Sequence, residues 1–213
     1  MNILRKPFKY IYGKATLWLI AVNLLVFFYF NFFNIFNLNE NAFALNVVGF
    51  VFNRMFWQPV TYMFIHAGWS HIIFNMLGLL FFGIMVERAI GTKEFILMYL
   101  LIGIFSGLFS VFLYYFTGNY FVSLVGASGA IYGILFAYAV IFPKSIVYIW
   151  GIVPVPSPLL VLLYALIEFF SQFFSVSNVA HYAHLSGFGF AFLYFVIRMG
   201  VNPFKVWKDA WRR

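Results

Sequence analysis

The chain has 213 residues, 65% hydrophobic and 24% aromatic, with 8% charged and a mean hydropathy of +0.96, a make-up that excludes a soluble globular domain. It carries no cysteine, which excludes disulfides, thiolate nucleophiles and Cys-ligated metals, while the net charge of +8 poses a choice between nucleic acid and a membrane surface. One helical crossing of hydrocarbon about 30 Å thick takes roughly 20 apolar residues, so this length holds about six or seven helices with short connections and no soluble domain.

Taken in chain order, hydropathy predicts six spans, over about 15–36, 70–87, 94–116, 127–142, 158–175 and 181–199. The first follows Arg5, Lys6, Lys9 and Lys14; it is too long for a signal-peptide core and lacks an Ala-x-Ala site, so it is expected to stay as an anchor. The longest connection, residues 37–69, mixes Phe50, Phe52, Met55, Phe56 and Trp57 with polar breaks and is expected to form an interfacial hairpin. The fourth span is short, about 15 residues or roughly 22 Å, so it must begin below the surface, after an irregular stretch that lines protein or water.

Of thirteen basic residues, all but Arg54 fall on the side of the chain termini. That asymmetry argues for a membrane with both ends cytoplasmic and against nucleic acid. The expected organisation is a basic cytoplasmic segment 1–14, a six-helix transmembrane domain 15–199 and a basic cytoplasmic segment 200–213, in an all-α polytopic fold. No internal repeat is found, which argues against an inverted-repeat transporter.

Polar groups inside a membrane are costly and therefore informative. The spans predicted to start at the outer face carry His71 and Asn75, then Ser128, then His181 and His184 in their first turns. Ser128 lies among Gly126, Ala127, Gly129 and Gly133, and His184 precedes Gly187 and Ala191. Small residues at such spacing let helix backbones approach closely, which would bring the Ser128 hydroxyl within reach of the His184 imidazole. Unpaired N–H groups of the helix start, including that of Ser128, with His71 and Asn75, suit an oxyanion. No Asp or Glu is near His184 in the sequence, which favours a Ser-His dyad with the base oriented by packing on Tyr132. Glu168, near the middle of the fifth span, has no evident partner.

Three segments, WQPVTYMFIHAGWSHIIFNMLGL, GASGAIYG and AHLSG, in this order resemble the rhomboid family of intramembrane serine proteases, as does WLIAVNLLVFF in the first span. The resemblance implies a six-helix bundle with Ser128 as nucleophile, His184 as general base and His71 and Asn75 as oxyanion donors. It implies that Gly126 and Gly129 flank the nucleophile, Tyr132 stacks on the base, His66 is structural, and Gly187 and Ala191 form the small face of the last helix. Glu87 and Arg88 match a charged pair ending the second helix. At positions 57 and 58 the family often has Trp-Arg where this chain has Trp-Gln, which puts the usual anchoring of the loop in question. His181 is a second candidate base, but the spacing to Gly187 favours His184. The resemblance further implies single-span membrane substrates cleaved near the outer face, entry beside the fifth helix with its Phe169, Phe170, Phe173 and Phe174, no cofactor or metal, and a prokaryotic plasma membrane with the site opening to the extracytoplasmic side. Two other functions compete: a non-proteolytic rhomboid-like protein that binds membrane clients, and a His-ligated metal or haem protein.

Overall fold

The computed structural model describes residues 7–34, 36, 38–149, 151–174 and 181–212. Among these, α1 (Ala15–Phe33), α2 (Trp69–Ile90) and α3 (Thr92–Thr117) are long and apolar enough to cross a membrane. The shorter apolar α4 (Ser128–Ile141) and α5 (Ser157–Phe174) follow, and α6 (His181–Met199) turns through 92° into α7 (Pro203–Ala210). The first helix ends three residues earlier than expected because Asn34 adopts a left-handed conformation, φ 31°, and its side-chain oxygen accepts the Leu38 N–H at 2.9 Å.

Two carboxylates lace the end of the bundle remote from Ser128. Glu87 is fully buried and accepts the N–H groups of Ala15 and Thr16 at 2.7 and 2.9 Å, the orphan donors that open α1. It also accepts the Thr92 hydroxyl, and Gly91, at φ +85°, makes the sharp reversal that sets α3 against α2. Glu94 accepts Nε of Arg198 at 2.8 Å and its Nη2 at 3.0 Å, the Tyr194 hydroxyl and the Phe8 N–H at 3.1 Å. The N-terminal segment, α3 and α6 are thereby tied together.

Helix α4 runs through the middle, with ten of its fourteen residues buried. At 14 residues it spans roughly 21 Å, less than the hydrocarbon thickness. Glycines set its neighbours' distance: a Cβ on Gly133 would meet Ile102 of α3 at 2.6 Å, and one on Gly187 of α6 would run into the Gly129 carbonyl of α4.

Three elements add detail that the sequence did not show. The described residues of the connection before α2 form a chain of short helical turns, Glu40–Ala42, Val48–Phe52, Gln58–Thr61 and Tyr62–Phe64. The connection's extended residue Leu45 pairs with Leu124, leading into α4. Gln58, where the family often has Arg, is fully buried and stitches the loop from inside, donating to the Ala42 carbonyl and accepting the Asn46 N–H, both at 3.4 Å. Between α4 and α5 lies a hairpin of β1 (Ile146–Ile149) and β2 (Val153–Pro156), antiparallel with Tyr148 opposite Pro154 and turned at Gly151, φ +72°. Its strands, IVYI and VPVP, are too short to stand out beside the spans. The basic segment after α6 contains α7, signalled by Asn202 capping the Lys205 N–H at 3.2 Å with Pro203 in the first turn. Trp207 docks α7 by donating to the Ala139 carbonyl at 2.9 Å and packing on Phe136, centroids 5.4 Å apart.

Candidate active site

Helices α2, α4 and α6 begin at the same end of the bundle, around a cavity of about 460 Å³ whose walls include His71, Asn75, Ser128, Tyr132 and His184. The approach to Ser128 is set by Gly126. Its N–H donates to the Tyr62 carbonyl at 2.9 Å, and its φ of +105° favours glycine. A Cβ here would lie 2.5 Å from Nε2 of His71, so the missing side chain is the space the imidazole occupies.

Ser128 is the first residue of α4, so its N–H is one of the helix's orphan donors. Its Oγ lies 2.7 Å from Nε2 of His184, a distance the glycine contacts between α4 and α6 make reachable. One turn further along α4, the Tyr132 ring lies flat on the His184 ring, with centroids 4.3 Å apart and planes 6° from parallel. Phe188 packs against the edge of that tyrosine at 5.2 Å. Gly129, Gly187 and Ala191 are buried between the helices. His71 and Asn75 share a face of α2, and Asn75 donates to the His71 carbonyl at 2.8 Å while its own side-chain oxygen is buried without a hydrogen bond.

His66 sits behind His71, the ring centroids 5.0 Å apart. It is buried, with Nδ1 3.3 Å from the Phe64 carbonyl. Loss of hydration, with a smaller contribution from neighbouring His71, holds its pKa down to about 4. His66 is therefore a neutral supporting ring at ordinary pH.

The reading of Glu168 from sequence, as a carboxylate without a partner and remote from the base, needs correction. The structure swings it from α5 into the site wall, 3.0 Å from Nδ1 of His184 and 2.6 Å from Nδ1 of His181, and it accepts the Tyr132 hydroxyl. His181 thus faces the carboxylate. The available signal was energetic: a carboxylate amid an apolar helix must find donors. Its sequence separation of 40 residues from Ser128 concealed which donors. Glu168, His181 and His184 also offer ligand atoms within 4.8 Å of one another, a two-His, one-carboxylate set.

A family model, the Rhomboid domain, matches residues 53–200, more than two thirds of the chain. Similar proteins include RHOMBOID-like protein 1 of Arabidopsis thaliana, 32% identical over 72% of this chain and 37% of its own length. Rhomboid protease AarA of Providencia stuartii is 31% identical over 62% of this chain and 52% of its own length. Rhomboid protease GluP of Bacillus subtilis is 40% identical over 37% of this chain and 14% of its own length. The chain spans about half or less of the length of these relatives. The matched stretch runs through the starts of α2, α4 and α6 and contains the described residues that line the cavity, and by that match this integral membrane protein belongs to the rhomboid family.

Proposed function

We propose that the protein is an intramembrane serine endopeptidase that cleaves single-span membrane proteins near one membrane face, with Ser128 as nucleophile and His184 as general base. The observation that carries this reading is the 2.7 Å approach of Ser128 Oγ to His184 Nε2 in the wall of a polar-lined cavity.

In the proposed reaction Nε2 of His184 takes the hydroxyl proton as Oγ attacks a substrate carbonyl. The negative charge that develops on the carbonyl oxygen is met by the Ser128 N–H and by donors from His71 and Asn75. His184 then gives its proton to the departing amine, which leaves an acyl ester on Ser128. Water entering through the cavity attacks that ester, and His184 accepts the water proton and returns it to Oγ. Hydropathy supports six spans and the distribution of basic residues supports both ends in the cytoplasm, so the cavity opens to the extracytoplasmic face of a plasma membrane. The bundle 15–199 is the catalytic unit between two basic segments, 1–14 and 200–213. Substrate enters from the lipid beside α5, whose outer face exposes Leu166, Ile167, Phe169 and Phe170.

The test uses detergent-solubilised protein with a fluorophosphonate and with a model single-span substrate. Wild type should be labelled and should cleave. Ser128→Ala should abolish both, and His184→Ala should reduce turnover at least about 10³-fold, each with an unchanged thermal midpoint. Activity should be indifferent to chelators. Wild type that neither labels nor cleaves, yet retains membrane proteins on pull-down, would replace this reading with a non-catalytic client-binding role.

A further inference from the structure

The mechanism above makes no use of the carboxylate buried in the site wall. We propose that Glu168 is a positioning residue that completes the site as a Ser128–His184–Glu168 arrangement, fixing the tautomer of the base and facing the positive charge it acquires. This inference rests on the protease reading and adds a third member to it.

An ionised carboxylate only accepts hydrogen bonds, so each ring nitrogen that faces it at short range must carry a hydrogen. Nδ1 of His181 lies 2.6 Å from Oε2, and Nδ1 of His184 lies 3.0 Å from Oε1. Oε1 also takes the Tyr132 hydroxyl. The carboxylate, whose side chain is 8% exposed, thus has two hydrogen-bond donors from two other helices, Tyr132 and His181, and the His184 ring as a third polar neighbour, which offsets the cost of its burial. With hydrogen on Nδ1, a neutral His184 keeps its lone pair on Nε2, the atom 2.7 Å from Ser128 Oγ. That tautomer is the one able to take the hydroxyl proton. The opposite tautomer would set an Nε2–H against the serine and a bare lone pair against the carboxylate.

The two histidines are held differently. His181 meets the carboxylate in an aligned hydrogen bond, whereas His184 Nδ1 approaches it off axis and makes no aligned bond. The ring plane of His184 is set instead by Tyr132 stacking at 4.3 Å, and Glu168 grips that tyrosine by its hydroxyl. Glu168 therefore acts on the base twice, through a charge close to Nδ1 and through the ring that fixes its plane. Other titratable groups around the base are His71 from α2, Tyr132 from α4, Tyr164 from α5 and His181 from α6. None of these is a fixed anion, so Glu168 supplies the negative charge facing the imidazolium. Through the cycle the proton moves only between Ser128 Oγ, His184 Nε2 and the reacting groups; Nδ1 keeps its hydrogen and the carboxylate stays ionised.

Two measurements test the proposal. With only four histidines in the chain, nitrogen-15 histidine spectra of the solubilised wild type resolve the tautomers directly, and His184 should carry its hydrogen on Nδ1. A neutral His184 found with hydrogen on Nε2 would overturn the proposal without any variant. In the second, Glu168→Gln keeps the shape and removes the charge. Its kcat should fall about 10²-fold with KM nearly unchanged, and the acidic limb of its kcat profile should move to lower pH, since the imidazole loses the neighbouring anion. Glu168→Asp should recover part of the rate and restore the limb. A Glu168→Gln enzyme with wild-type kcat and an unmoved limb refutes the role, and so does a lowered kcat with an unmoved limb, which marks Glu168 as a packing group. If wild type shows no Ser128-dependent turnover, the protease reading fails by itself, and the tautomer spectrum still decides this one.

Discussion

The pair His66 and His71 separates two uses of one residue type. His71 borders the cavity, whereas His66 is packed behind it with Nε2 lacking any hydrogen bond. A buried neutral imidazole makes stability depend on pH. The folded pKa of His66 lies at about 4, below its ordinary 6.5, so as pH falls the unfolded chain takes up the proton first. The stability linked to this group is fully present above pH 6.5 and is lost as pH falls toward 4, by on the order of 3 kcal/mol in total. Thermal midpoints measured between pH 4 and 7 should fall toward the acid end in wild type and less steeply in His66→Gln. Equal slopes in the two proteins would remove His66 from the account. At this scale the sequence was informative where a side chain stands among small residues, as Ser128 does among Gly126, Ala127 and Gly129. It was silent for Glu168, whose partners come from other helices.

Between elements, the decisive contact is backbone against backbone. α4 and α6 cross where Gly187 meets the Gly129 carbonyl, and that closeness carries His184 to Ser128. Gly187→Ala should push the helices apart at a cost of about 1–3 kcal/mol, lower the thermal midpoint and cut turnover more than stability alone explains. Gly189→Ala is the control, since a Cβ there meets nothing within 4 Å. If the two variants behave alike, the crossing is not what sets the catalytic distance. The spacing of Gly129, Gly133, Gly187 and Ala191 made this face readable in advance. The hairpin of β1 and β2 was not readable, because four-residue strands between two apolar spans carry little periodic signal. The internal order of the loop before α2 was not readable for another reason: it comes from Gln58 at its centre and from the pairing of Leu45 with Leu124, contacts between segments far apart in sequence.

The whole molecule poses a question of orientation, and its lack of cysteine makes the answer accessible. Arg54, Lys144 and Arg212 are all exposed, so single cysteines there can be reached by a maleimide. On intact cells an impermeant maleimide should label Arg54→Cys and should label Lys144→Cys and Arg212→Cys only after permeabilisation. The reverse pattern would invert the proposed topology. Composition was enough to specify a membrane protein, and hydropathy with the one-sided placement of basic residues to propose its spans and orientation, because lipid imposes length, apolarity and charge asymmetry on each segment separately. The three family segments likewise named Ser128, His184, His71 and Asn75. Which groups touch depended on helix crossings: the 2.7 Å approach of serine to histidine, the stacking of Tyr132 and the capture of Glu168 arise where separate helices meet. A buried charge states in the sequence only that it needs partners, and the packing of α5 against α4 and α6 chooses them.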